Sequence, residues 1–190
     1  LCADVKGYSR MMGEDEVGTF HTLSDYLEIM NTIIAAHRGR VFSSPGDAIL
    51  AQFRSVVDAV ECAVKIQQKI EAKNADVPED RKMRFRIGVN LGDVIEKEEQ
   101  IYGDGVNIAA RIETLAEPGS VSISQNVYNQ VRNKLKFGYE YQGEHQVKNI
   151  AEPVEAYKVL TSPEYAGQLI RETKTTKRSL KTKTIAIFAI

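Results

Sequence analysis

The sequence predicts an α/β (α+β) fold, a two-layer sandwich of helices on a mainly antiparallel sheet, in the coarse order βαββαβ with additions. Three observations carry this. Two segments, near residues 14–37 and 55–70, repeat apolar residues every three or four positions, the period of a helix with one buried face. Between and after them, short apolar runs end at Gly or Pro, as strands do. A chain of 190 residues, 43% hydrophobic and 27% charged, suffices for one domain with a sizeable core, plus a tail.

Leu1-Cys2-Ala3-Asp4-Val5 is an apolar run that breaks at Lys6-Gly7-Tyr8-Ser9, a strand leading into a turn. A helix is expected from about Glu14 to His37, burying Val17, Phe20, Leu23, Leu27, Met30 and Ile34, with Gly39 suited to its C-terminal cap. Arg40-Val41-Phe42 and Ala48-Ile49-Leu50-Ala51-Gln52-Phe53 read as two strands joined by the turn Ser43-Ser44-Pro45-Gly46-Asp47. Ser55 and Asp58 form a capping-box-like pair opening a second helix, with Val56, Ala59, Val60, Ala63, Ile66 and Ile70 as its buried stripe. Asn74 to Lys82 carries Pro78 and many charges and reads as a loop. Phe85, Ile87 and Val89 alternate with Arg84, Arg86 and Gly88, which indicates a strand.

Asp93 to Gln100 predicts a ribbon or turn, and a third helix runs from near Gly105 to Pro118-Gly119. Ser120 to Ile123 is a short strand, followed by a polar helix near Asn126 to Lys134 and late strands at Phe137–Tyr141 and Val154–Val159. From Thr161 the pattern dissolves into a basic, Thr-rich linker with Lys174, Lys177, Arg178, Lys181 and Lys183. Ile185 to Ile190 looks like the first strand of a following domain. The expected division is therefore a domain over 1–160 and a linker with a truncated next domain over 161–190, a piece of a longer protein.

Charge and composition narrow the function. A net charge of −1 argues against a general nucleic-acid surface, which needs a clear excess of Lys and Arg. No apolar run approaches the length of a membrane span, and the start lacks a signal-peptide pattern. Cys2 and Cys62 are too few for a zinc site and read as buried free thiols in a reducing, cytoplasmic setting. His21, His37 and His145 show neither metal spacing nor a triad partner.

Asp4 at a strand end and Asp47 at a Pro/Gly turn are the pair that chemistry singles out. Mg²⁺ prefers one or two carboxylates, with waters and substrate phosphates completing its shell. Asn107 and Arg111, four residues apart, project from one helix face. Taken singly, each of these reads more readily as a turn or surface residue. Together, Asp4-Val5-Lys6-Gly7-Tyr8-Ser9, Gly46-Asp47-Ala48-Ile49-Leu50-Ala51-Gln52-Phe53 and Tyr102-Gly103-Asp104-Gly105-Val106-Asn107-Ile108-Ala109-Ala110-Arg111-Ile112-Glu113 resemble, in order and separation, the catalytic domain of class III nucleotidyl cyclases. The likeness covers Leu1 to about Leu160.

That resemblance implies the class III cyclase fold, with its ferredoxin-like core, and cyclisation of ATP, or less favourably GTP, with release of pyrophosphate. It implies two Mg²⁺ or Mn²⁺ ions per site on Asp4, Asp47 and the Val5 carbonyl, with Gly7, Tyr8 and Ser9 on the phosphates. Asn107 would orient the ribose and Arg111 would stabilise the charge at phosphorus. In the family the metal carboxylates and the Asn/Arg pair come from different subunits, so a head-to-tail homodimer with composite sites is implied, and a lone chain should be inactive.

The chain departs from the family pattern at the base-recognition positions, where Ser43 and Gln100, with its neighbour Ile101, replace the usual charged anchor. Ser43 and Gln100 can each donate and accept, so either purine could be accommodated. The phosphate-contacting Lys of many relatives corresponds only to Lys148 in Val147-Lys148-Asn149-Ile150. Two other readings stay open. One is a catalytically weak module that binds nucleotide or dimerises to regulate a neighbouring domain. The other is a palm-like nucleotide-polymerising domain, which lacks its Gly-Gly-acidic-acidic-Phe signature here.

Overall fold

The computed structural model describes residues 1–42, 46–98, 100–147, 150 and 152–171. In chain order they form β1 (Cys2–Val5), α1 (Tyr8–Glu14), α2 (Glu16–Ala36), β2 (Arg40–Phe42), β3 (Ile49–Gln52), α3 (Val56–Asn74), β4 (Phe85–Val89), β5 (Ile95–Lys97), β6 (Gln100–Tyr102), α4 (Asp104–Leu115), β7 (Val121–Ser124), α5 (Gln125–Val131), β8 (Gly138–His145), β9 (Val154–Leu160) and β10 (Leu169–Ile170). Eight strands make one sheet in the order β10-β8-β9-β7-β4-β1-β3-β2, and β5-β6 form a separate ribbon. The β4–β7 and β8–β10 pairings are parallel and the remaining pairs antiparallel, as a mainly antiparallel α+β sheet requires.

Successive strand residues point to opposite faces, and that alternation decides what each helix covers. Phe85 and Ile87 of β4 face a core completed by Met30, Ile34, Ile66 and Ile70 of α2 and α3 and Val127 of α5. Gln67 of α3 donates from Nε2 to the Phe85 and Ser120 carbonyls, binding that helix layer to two strands. Arg86 and Gly88 face the other way, and there α4 crosses the sheet. A Cβ added to Gly88 would lie 2.3 Å from the Glu113 nitrogen and 2.5 Å from the Ala109 carbonyl oxygen. Glycine at 88 thus lets a helix backbone rest directly on the strand. Asp4 of β1 shares this face, since its Cα partner in β4 is Arg86.

Several expectations need correction. The helix expected from about Glu14 to His37 is α2, which starts at Glu16 because Asp15 caps it by accepting from the Gly18 N–H; the stretch before it, read as a turn, forms the short helix α1. Val17 and Phe20 are exposed, while Thr19 and Tyr26 take buried positions. The buried face of α2 runs through Thr19, Leu23, Tyr26, Met30 and Ile34, and at 3.6 residues per turn Val17 and Phe20 fall off that face within the same helix. Gly39 is not the left-handed cap: Arg38 has φ 60°. Glycine stands at 39 because a Cβ there would meet the Phe53 ring at 2.5 Å and Ile34 at 2.7 Å. Ser55 caps α3 as expected, accepting from the Asp58 N–H at 3.2 Å. The Asp58 carboxylate turns away from that box to pair with Arg38 at 2.7 Å. Beyond Thr161 the chain still forms β10, which extends the sheet edge beside β8. The basic stretch from Lys174 and the strand at Ile185–Ile190 lie outside the described residues.

Candidate active site

Asp4 and Asp47 arrive from strand ends 43 positions apart and meet. β1 ends at Val5, Gly7 adopts φ 79°, and α1 begins. On the β2–β3 connection Gly46 takes φ 75°, a left-handed conformation that favours glycine, and Asp47 follows. Asp47 Oδ2 accepts a hydrogen bond from the Val5 N–H at 3.1 Å, which places its carboxylate beside the residue after Asp4. Both acids are partly buried.

Two residues to which the sequence assigned no chemistry complete this cluster. Arg86 grips Asp4 in a two-pronged pair, Nε to Oδ1 at 3.0 Å and Nη2 to Oδ2 at 2.6 Å. Glu113, on the buried stripe of α4, brings Oε1 within 2.9 Å of the same Arg86 Nε. That nitrogen carries one hydrogen, already aimed at Asp4, so Glu113 Oε1 is close to a cation yet accepts no hydrogen bond. Burial, then the neighbouring Asp4, raises the Glu113 carboxyl to about 8, against the opposing pull of Arg86. The bond to Asp4 in turn strengthens the protonated state of Arg86.

The remaining candidate residues fall in three places. Gly7, Tyr8 and Ser9 open α1 rather than forming a loop nest. The first intrahelical bond is from the Arg10 N–H to the Gly7 carbonyl, leaving the preceding N–H groups at a helix start. Tyr8 also packs its ring against the core. Asn107 and Arg111 sit on the exposed side of α4, and their side chains make no hydrogen bond or ion pair among the described residues. Ala109, Ile112 and Glu113 form the opposite, buried side. Gln100 is exposed and accepts the Tyr102 hydroxyl, whereas Ile101 is buried. Ser43 and Lys148 lie outside the described residues.

Carboxylate oxygens are the hard donors that Mg²⁺ and Mn²⁺ take. Among the described residues no three His, Cys, Asp or Glu side chains cluster as a cage, and a site completed by waters and phosphates needs none. The donor set fits. Asp4 already holds a cation, the Arg86 guanidinium, in a two-oxygen grip, and Asp47 stands next to it with one oxygen committed to Val5.

Arg86 escaped the sequence because only the β1–β4 register shows that it opposes Asp4. Glu113 left a legible signal: it follows buried Ala109 by four positions, so a charged residue occupies the packing stripe.

Residues 1–161 match the family model of the adenylate and guanylate cyclase catalytic domain. The chain is 47% identical over 156 residues, 81% of its length and 26% of the relative's, to "Putative adenylate cyclase 3" of Rhizobium meliloti. It therefore spans about a quarter of that relative's length. Among solved structures it resembles an adenylate/guanylate cyclase/hydrolase from Silicibacter pomeroyi, with TM-score 0.80, 32% identity, and coverage of 85% of this chain and 94% of that one. The adenylyl cyclase CyaB from P. aeruginosa shares the fold at TM-score 0.69 and 22% identity, covering 86% of this chain and 93% of that one.

Proposed function

This chain belongs to the adenylate and guanylate cyclase catalytic domain family, and we propose that it converts ATP, and less readily GTP, to the 3′,5′-cyclic nucleotide and pyrophosphate as a head-to-tail homodimer. The observation that carries this is the hydrogen bond from the Val5 N–H to Asp47, which gathers both acids at one spot on the sheet. Asp4, Asp47 and the Val5 carbonyl would hold two Mg²⁺ or Mn²⁺ ions, which when bound neutralise the triphosphate and ease deprotonation of the 3′-hydroxyl.

The chain's own groups do the rest. Gly7, Tyr8 and Ser9 present backbone N–H groups at the start of α1, suited to β- and γ-phosphate oxygens, and the family likeness offers Lys148 as a further cation for them. Asn107 orients the ribose, and the Arg111 guanidinium stabilises charge developing at the α-phosphorus. Both project from the solvent side of α4, away from the face that carries Glu113. They therefore suit a nucleotide held by a second copy. Exposed Leu91, Ile95 and Tyr102, beside the start of α4, supply apolar surface for that copy. Two-fold symmetry then makes two equivalent sites.

Ser43, Gln100 and Ile101 form the base-recognition positions, and the relative's name favours adenine. Further domains of the same polypeptide would act as partners and regulators. Both cysteines are buried and free, in keeping with a cytoplasmic setting. Among the described residues no helix is long and apolar enough to cross a membrane.

The test is direct. Purified protein is offered ATP and GTP separately with Mg²⁺ and with Mn²⁺, and cyclic product is measured. Cyclic AMP exceeding cyclic GMP supports the proposal. No product from either nucleotide, at high protein and with Mn²⁺, replaces it with the regulatory-module reading.

A further inference from the structure

We infer that Arg86 is a displaceable internal counter-ion: it holds the Asp4 carboxylate while no metal is bound and passes to Glu113 when a divalent cation takes its place. This rests on the assignment of Asp4 to the metal, and three observations point to it. The first is occupancy. Both Asp4 oxygens accept from Arg86, at 3.0 and 2.6 Å, so a cation reaching Asp4 must break at least one of these bonds. Charge-assisted, two-pronged pairs of this kind are among the stronger hydrogen bonds in proteins, so the competition has measurable size.

The second observation is a vacant acceptor. Glu113 Oε1 is buried, lies 2.9 Å from Arg86 Nε and accepts no hydrogen bond, because the single hydrogen of that nitrogen points to Asp4. A buried acceptor left without a donor is costly, and here the donor stands already within reach. A small rotation of the guanidinium, without any backbone movement, would move the hydrogen from Asp4 to Glu113. The third is enclosure. Arg86 retains 16% side-chain exposure and Glu113 8%. Gly88 lets α4 rest on β4 immediately alongside, which keeps Glu113 of α4 against the guanidinium. Once it is released from Asp4, the carboxyl group nearest to it is that of Glu113. Arg86 is thus a positioning residue, acting on the metal through Asp4, and Glu113 is its parking acceptor.

The experiment measures metal binding rather than turnover. Mn²⁺ is titrated into the full chain without nucleotide, and free Mn²⁺ is followed by electron paramagnetic resonance, for wild type, Arg86→Gln, Arg86→Lys, Glu113→Gln and Asp4→Asn. With the competitor removed, Arg86→Gln should bind Mn²⁺ roughly tenfold more tightly. Arg86→Lys keeps the charge but lacks the fork, and should fall between Arg86→Gln and wild type. Glu113→Gln, which denies the displaced guanidinium a carboxyl partner, should bind several-fold more weakly.

Should Arg86→Gln fold poorly, the wild-type chain supplies a second readout. Its Arg86 Nε–H nuclear magnetic resonance signal, assigned by its loss in Arg86→Lys, should shift on saturation with diamagnetic Mg²⁺. Unchanged or weaker Mn²⁺ binding by both Arg86 variants, with Asp4→Asn losing the ion, would overturn the counter-ion role and leave the metal assignment standing. Equal binding by Asp4→Asn and wild type would overturn both. A stationary Arg86 signal would show that the pair never opens, and would refute the handover.

Discussion

Gly88→Ala probes the contact on which the site is built. The added Cβ would sit 2.3 Å from the Glu113 nitrogen, 2.5 Å from the Ala109 carbonyl oxygen and 2.7 Å from the Glu113 Cα. All three are backbone atoms of α4, so no flexible side chain can swing aside. Ordinary contact begins near 3.4 Å, so α4 has to retreat from β4 by about 1 Å. Overpacking of a well-packed interior costs about 1–3 kcal/mol, and the upper end applies where backbone must move. At roughly 2–4 °C per kcal/mol for a domain of this size, Tm should fall by about 6–12 °C. The same retreat draws Glu113 off Arg86 and carries Asn107 and Arg111 with it, so cyclase activity should fall further than the folded fraction does. Differential scanning calorimetry, with product formation measured where the variant is fully folded, separates the two losses. A Tm within a degree of wild type together with undiminished activity would refute the close packing of α4 on β4.

Other outcomes follow from the same contacts. Because Glu113 has its carboxyl raised to about 8, the stability linked to its protonation is complete below about 4.5 and is lost as pH rises toward 8. In the metal-free protein Glu113→Gln should therefore flatten the decline in Tm over that interval, and an unchanged pH profile would contradict the burial assigned to Glu113. Asn74 accepts from the buried Tyr26 hydroxyl and donates to the Met83 carbonyl, both at 2.8 Å. Asn74→Ala orphans both groups and should cost about 3 kcal/mol in urea unfolding. Ser55→Ala removes the cap of α3 and should cost about 1 kcal/mol in the same assay.

Much of this molecule was readable before any coordinates. Periodicity placed α3 and its stripe because Val60, Ala63, Ile66 and Ile70 all meet one continuous core, and period and burial coincide there. The α2 stripe misled at Val17 and Phe20 because it followed apolar residues alone, whereas the face that packs inward recruits Thr19 and Tyr26 in step with Leu23, Met30 and Ile34. Asp4 and Asp47 could be named from strand-end position and from the family likeness. The partner that grips Asp4 could not, because Arg86 becomes its neighbour only through the antiparallel β1–β4 register, a non-local fact. Gly88 carried the same hidden information. In one dimension it is the glycine that weakens a strand; in three it is where a helix lands.

The composite site is the central claim, and one mixing experiment addresses it. Asp47→Ala and Arg111→Ala chains are purified separately, each inactive on its own, then mixed in equal amounts and assayed for cyclic nucleotide. Random pairing makes half the dimers mixed, each with one intact site, so activity should return to about one quarter of wild type. A mixture no more active than either variant alone would contradict sharing of the site between two chains.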